Sequence, residues 1–515
     1  MRKSLPIFYS ALLLTAVNLL LRFVSTSFQV HISARIGAEG IGLLQLVLSV
    51  GGLALTAGIG GIRTATMYLT AEELGRNNPQ NITWVLRGCF LYSLLFSILV
   101  STSLHIFAPW IAEHWIGAVG TAGAIRMFAT FLPLVCLTGC MTGYFTAANR
   151  ITTLAGIEIL EQLCYMAVTL TALNVWAGND PEKACQAVVF GSGISSCLAL
   201  MLLFMLRFKE HAKIGPPIPV ARRLAVTALP LALADDLKAG ISTTENLMVP
   251  KRLALFPEEV APLATFGTVV GMVFPVLMFP AAILFALAEL LIPELARCNA
   301  AGSSVRIRYL VQKGLRVALL YGTVCGGLMF LLAHPLCKAL YGASEAGIYL
   351  RRYSLLAPML YCDAITDAMT KGLGQQRICV RYNILTSVMD VLLLFIFLPK
   401  YGMQGYFVSF FITHLINFLL SIRRLVKISK IKIPFYIPAM ILSAAAISVM
   451  MTDRMNSIVT KTILYFLLFG CLLTLMGILG KQDIRWIKKL ITKDLPRFRG
   501  RSEDQSAFKT SNTNS

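Results

Sequence analysis

The ionisable side chains set inside apolar segments are the residues of this sequence that could do chemistry. The stretch TALPLALADDLKAGISTTENLMVPKR, residues 227–252, holds Asp235, Asp236, Lys238 and Glu245 between Pro230 and Pro250. A charge near the bilayer centre costs about 2.5–3.5 kcal/mol on insertion scales, so four in one span require a partner or a function. At ~100° per residue, Asp235, Lys238, Ser242 and Glu245 fall on one stripe roughly 80° wide, and Asp236 points away from it. Two readings stay open. In the plainer one Asp235 and Lys238 pair at i, i+3 and Glu245 is solvated near the end of the segment. In the other the stripe lines a central cavity, where a carboxylate takes up a proton or a sodium ion and couples it to movement.

Further charges join this set. Arg22, in LLLRFVST, lies near mid-depth of the first apolar segment with no acid within one helical turn. A guanidinium stays charged there and offers a planar fork to phosphate oxygens. Arg63 lies nearer a membrane edge, where its long side chain can reach the headgroups. Asp363 and Asp367, at i, i+4, and Asp390 are additional candidates for a coupling site. Glu158 and Glu161 lie nearer the inner side and are read as partners of Arg150.

The elements that must carry these residues are apolar helices. The chain has 515 residues, 57% hydrophobic and 14% charged, with apolar stretches along its whole length. These runs are continuous rather than alternating, and far exceed the ~10 residues of a barrel strand, so the chain is an all-α polytopic membrane protein. Fourteen spans are predicted: 6–30, 41–66, 84–108, 124–147, 154–177, 184–206, 224–249, 263–292, 314–337, 353–371, 382–398, 404–422, 433–451 and 459–479. The first is long for a secretory signal and lacks a small-residue cleavage site, so it is kept as a span. Pro230 and Gly240 weaken the backbone ladder of span seven and allow it to bend.

The net charge of +21 sits mainly on RFKEHAKIGPPIPVARR (207–223), RRLVKISKIK (423–432) and the tail after Lys481. That distribution places the N-terminus inside, and the even span count places the C-terminus there too. The basic loops meet anionic lipid, and no nucleic-acid partner is expected. The twelve cysteines lie mostly within spans without a CxxC pair, and the six histidines lack metal-ligand spacing, so no metal or other cofactor is expected beyond a coupling Na+ or H+. No GxxxxGK[ST] loop is present, and outward loops reach only about 15 residues (109–123 and 338–352), which leaves no room for an enzyme's extracytoplasmic domain.

A shift of 227 residues lays AANRITTLAGIEIL (147–160) on GQQRICVRYNILTS (374–387), matching Arg150 with Arg377, and sets Gly40 on Gly267. This predicts two six-helix lobes of the same orientation, 1–212 and 213–430. Two additional helices (431–480) and a basic cytoplasmic tail (481–515) follow.

Several stretches resemble a known family. RIGAEGIGLLQLVLSVGGLALTAGIGGIRTATMYLTAEE (35–73), LYGASEAGIYLRRYSLLAPMLYCDAITDAMTKGLGQQR (340–377) and LPKYGMQGYFVS (398–409) are similar to the stage V sporulation protein B and polysaccharide-biosynthesis branch of the multidrug, oligosaccharidyl-lipid and polysaccharide (MOP) exporter superfamily. The resemblance covers spans one to twelve. It implies a monomeric flippase with two lobes around a V-shaped cavity, through which the polar head of an undecaprenyl-linked oligosaccharide, a peptidoglycan, spore-cortex or polysaccharide precursor, crosses the cytoplasmic membrane. It also implies substrate binding by Arg22 and Arg63; the stripe adds Lys238 to them, and Asp235, Glu245, Asp363 and Asp367 are the candidates to line the cavity or couple an ion. The echo of a "VPRR"-like end in ENLMVPKR supports Glu245. Phe28 replaces a second span-one arginine of the lipid II flippases, and span eight carries Glu289 with no arginine before Arg297, which favours the sporulation-type branch. An ion-coupled antiporter of cationic small molecules on the same fold is the competing expectation.

Overall fold

Lipid offers no hydrogen bonds to an open backbone, so a chain this apolar satisfies its amides within helices. The computed structural model describes the backbone of residues 4–478 apart from 60, 77, 179, 209–218, 343–344, 432–433, 435 and 456, and no strand occurs among the described residues. Each of the fourteen predicted spans coincides with helix. Spans one and two form Ser4–Ile59, broken at Gly37 (φ 75°), and Ile62–Gly75 continues span two. Spans three to seven are Ile82–Trp110, Ala122–Ala147, Ile151–Ala172, Pro181–Phe208 and Ala221–Leu253. Span eight is interrupted: Pro262–Met278, with a π-helical turn at Gly267–Val273, meets Ala281–Ala300 at 60°. Ser304–Tyr341 is span nine, Glu345–Ser354 and Ala357–Gly372 make span ten, and Gln376–Ser429 holds spans eleven and twelve, broken at Gly402 (φ 56°).

Residues 1–433 form one compact unit, and the chain from Pro434 onward forms another. The second unit contains Tyr436–Thr452 and Ile458–Leu475. Asp453 and Lys461 pair across the intervening turn at 3.8 Å, and the side chain of Ser457 accepts from the Thr460 amide as an N-cap.

Span three shows how close helix packing in lipid sorts its faces. On span three the i, i+4 row Val85, Cys89, Ser93, Ser97 is buried, whereas Leu91, Leu95 and Leu99 on another face are exposed. The membrane, rather than protein, solvates that leucine face. The first turns of span seven pack against the first half of the unit, where Val220, Leu224 and Ala228 meet Ile62, Leu69 and Val85. There the Arg223 guanidinium donates to Glu72 Oε2 and Glu73 Oε1, both at 2.7 Å, and Glu73 also accepts from Asn81 at 2.9 Å.

The backbone carries an internal repeat, in a register that corrects the sequence match. Gly117 (φ 83°) and Gly342 (φ 70°) end spans three and nine, and lie 225 residues apart. Asn149 (φ 56°) and Gly374 (φ 80°), also 225 apart, turn the chain into spans five and eleven. The bonds Ala148 N to Tyr144 O, Asn149 N to Thr146 O and Arg150 N to Phe145 O recur as Leu373 N to Met369 O, Gly374 N to Lys371 O and Gln375 N to Thr370 O. Arg150 is therefore equivalent to Gln375 and not to Arg377. The shift of 227 aligned identical letters; the geometry instead repeats left-handed corners, which Asn and Gly fill interchangeably.

The same offset relates Gly42 to Gly267, and these two glycines touch. A Cβ on Gly267 would run into the Ala38 carbonyl and the Gly42 backbone, and one on Gly42 into the Leu263 carbonyl. Gly271 rests on Ile41 next to them, and Ser33 Oγ donates to the Gly271 carbonyl at 3.3 Å. Spans one, two and eight thus close the seam between the halves on the face expected to be outward. Gly40, the glycine matched from sequence, packs instead on Ile36 and Pro181 within the first half.

Candidate functional site

The seam carries Arg22 in the open. Its guanidinium is exposed and stands over the Phe285 ring of span eight at 4.7 Å, a cation–π arrangement between the halves. The neighbouring Phe23 and Phe279 rings meet at 5.3 Å. No acid pairs with Arg22 among the described residues, so its charge is available to a ligand. Phe285 is the second-half side chain that meets Arg22, and Lys238 and Glu245 turn into the second half.

There they line a polar pocket of about 410 Å³. Glu245 and Asp390 of span eleven lie side by side on its wall. Asp390 is 6% exposed and accepts from Ser409 Oγ at 2.6 Å and Thr413 Oγ1 at 3.2 Å. Asp363 of span ten accepts from Asn417 Nδ2 at 3.0 Å, and its buried Oδ1 has no partner among the described residues. His414 closes the same pocket, its ring stacked on Phe410 at 3.8 Å. Two adjacent carboxylates repel unless a proton or cation sits between them, so this pocket can take up a small cation. It is also mechanically connected: Asn246, on its wall, donates to Ser49 Oγ of span two at 2.9 Å, and Thr243 donates to the Ser49 carbonyl at 3.0 Å.

The other predicted residues lie apart from this pocket. Asp235 is exposed and does not line it, so the predicted stripe keeps only two of its charged members. Asp236 faces the first half, toward Thr56 and Tyr92. Asp367 forms an i, i+4 ion pair with Lys371 at 2.6 Å. Arg63 is exposed just past the break at Gly61, within electrostatic reach of Glu158.

A second pocket, of about 380 Å³, lies in the first half. Span five supplies Glu158, Glu161, Gln162 and Tyr165, span six three serines, and span one Leu21. Most of its wall repeats that of the first pocket at the offset of 225: Leu21 answers to Asn246, Glu158 to Asn383, Glu161 to Thr386, Gln162 to Ser387, Tyr165 to Asp390 and Ser192 to Asn417. Sequence reading missed this pair, because equivalent positions hold different residue types.

The fold matches that of solved membrane transporters. Lipid II flippase MurJ in an inward closed conformation superimposes with a TM-score of 0.67 at 13% identity, over 90% of this chain and 98% of that one. The two chains share one fold. An inward-facing multidrug resistance MATE family transporter of the MOP superfamily matches at a TM-score of 0.64 and 14% identity, over 81% of this chain and all of the other. Stage V sporulation protein B of Bacillus subtilis (strain 168) is 21% identical over 406 residues, which are 76% of this chain and 78% of that protein. No family model matches the chain. The resemblance read from spans one to twelve is thus met in sequence, at low identity, and in a multi-pass membrane fold shared with these solved transporters.

Proposed function

We propose that this chain is a flippase that carries a lipid-linked oligosaccharide across the cytoplasmic membrane by alternating access between lobes 1–212 and 213–430, with both termini cytoplasmic. The observation that carries the reading is Arg22: an exposed guanidinium at the seam, steadied by Phe285 and without an acidic partner among the described residues. A pyrophosphate-linked sugar brings about two negative charges into the membrane, and a guanidinium replaces part of the water they lose. The names of the similar proteins, a sporulation protein and a lipid II flippase, fit this cargo. The glycine seam packs the face expected to be outward too tightly for a headgroup to pass, which fits entry from the cytoplasmic side.

The pocket around Glu245 and Asp390 supplies the drive. A proton or sodium ion between these carboxylates holds spans seven and eleven together, and its release lets them part. Since Asn246 and Thr243 tie span seven to Ser49 of the other lobe, the occupancy of the pocket is felt at the seam. The test is flipping of a fluorescent undecaprenyl-pyrophosphate sugar in proteoliposomes under imposed sodium, proton and voltage gradients. Arg22→Ala abolishes it while the protein remains folded; undiminished flipping removes Arg22 from the mechanism. The acidic pocket also suits an antiporter of cationic drugs, and a response to drugs alone would establish that reading instead.

A further inference from the structure

The first-half pocket has no role in the cycle described so far, yet it is not an accidental gap. It occupies the position of the second-half pocket in the repeat, with Glu158, Glu161, Gln162 and Tyr165 standing where Asn383, Thr386, Ser387 and Asp390 stand in the other half. What differs is the chemistry on the wall. In the second half Glu245 and Asp390 lie side by side, and Asp390 already accepts from the Ser409 and Thr413 hydroxyls, an arrangement that leaves the carboxylate pair to a bare cation or proton. In the first half Glu161 accepts from Ser196 Oγ at 3.0 Å, Glu158 lies within electrostatic reach of Arg63, and the Gln162 Nε2 amide is buried with no acceptor among the described residues. An N–H donor aimed into a pocket opposes a bare cation and seeks an oxygen acceptor. Carboxylates, serine hydroxyls and an amide in one wall offer both acceptors and donors, and an aromatic ring stands among them. That combination matches a ligand bearing several hydroxyl groups. The ring of Tyr165 is held edge-on by Phe28 at 5.3 Å, so its orientation is fixed from span one.

Size and position agree. The volume of about 380 Å³ falls within the ~300–1,000 Å³ of small-molecule sites. Leu21 is on its wall, one residue from Arg22, so a headgroup whose phosphate meets Arg22 has its sugar close by. We propose that the first-half pocket is the sugar subsite of the transported lipid, with Gln162, Glu161 and Tyr165 reading ring hydroxyls of the first saccharide unit. The proposal rests on the flippase reading and assigns to it a headgroup class, a neutral polyhydroxylated sugar. Repeat-related pockets thereby serve two ligands in one cycle, the coupling ion in one half and the sugar in the other.

The experiment measures binding of two probes to the full chain in nanodiscs: undecaprenyl pyrophosphate bare, and the same lipid bearing one N-acetylhexosamine. The wild type favours the sugar-bearing probe by about tenfold or more, a difference of about 1.4 kcal/mol. Gln162→Leu and Glu161→Leu bring the two affinities together and leave bare-lipid binding as it was. Glu161→Gln keeps the preference, because a neutral amide still bonds hydroxyls, and this variant also controls for misfolding by the leucine variants. Loss of the preference in Glu161→Gln, or equal binding of both probes by the wild type, overturns the sugar subsite and leaves the flippase reading standing. Failure of the wild type to bind either probe overturns both.

Discussion

At the scale of single residues, the acids of the second half divide into those placed for the proposed transport cycle and those paired within the fold. Glu245 and Asp390 lie side by side in a pocket, whereas Asp367 is neutralised by Lys371 one helical turn away. Replacing Glu245 by Gln or Asp390 by Asn removes the repulsion that an ion relieves. We therefore expect the gradient dependence of flipping to disappear in either variant, with residual flipping that no longer responds to sodium or pH; an unchanged gradient response excludes the pair as the coupling site. Asp367→Asn serves as the contrast. A half-buried i, i+4 pair within one helix is worth about 0.3–0.5 kcal/mol, so this variant flips at the wild-type rate and its melting temperature barely moves. The sequence placed Glu245 among these candidates through its stripe. It did not reveal Asn383, Thr386, Thr413 or His414 as pocket residues, because each is an unremarkable polar letter in an apolar run until spans seven, ten, eleven and twelve are brought together.

At the scale of elements, the helices were legible and their breaks were less so. Continuous apolar runs predict helix under any bilayer account, and all fourteen spans are helical. What the runs do not disclose is that span eight takes a π-helical turn and a 60° bend, or that span seven begins against the first half. The latter arrangement hangs on Arg223, which joins the start of span seven to Glu72 and Glu73 at the end of span two. Glu73 is 1% exposed, so removing its cation leaves a buried carboxylate with Asn81 and the more distant Arg76. Hydrogen bonds to charged groups contribute about 1.5–3 kcal/mol, and Arg223→Gln is expected to lose roughly that amount. A thermal melt in detergent reads it as a lower transition temperature, with partial recovery in Arg223→Lys; a transition at the wild-type temperature would mean that the clamp contributes nothing.

At the scale of the whole molecule, the repeat orders the transport unit. The identity of letters suggested a shift of 227, and the corners show 225, because a duplicated fold preserves backbone conformation longer than side chains. The difference matters for function, since only the true register pairs the pockets wall by wall. It also identifies Gly42 and Gly267 as twins that meet each other. Gly267→Val forces spans two and eight apart at the outward face, and we expect flipping to fall by about tenfold or more, equivalent to about 1.4 kcal/mol in the rate-limiting barrier, while lipid binding at Arg22 persists. Equal flipping in the variant would show that this seam need not close.

That meeting of twins has a genetic consequence. When unlike residues pack together, an enlarged side chain on one can be rescued by a smaller one on the other. Gly42 and Gly267 are both already without a side chain, so neither has any volume left to give up for its counterpart. A side chain on Gly267 meets only the backbone of Ala38 and Gly42, so a suppressor screen starting from Gly267→Val is expected to return no rescue at position 38 or 42, and second-site changes only elsewhere along the seam.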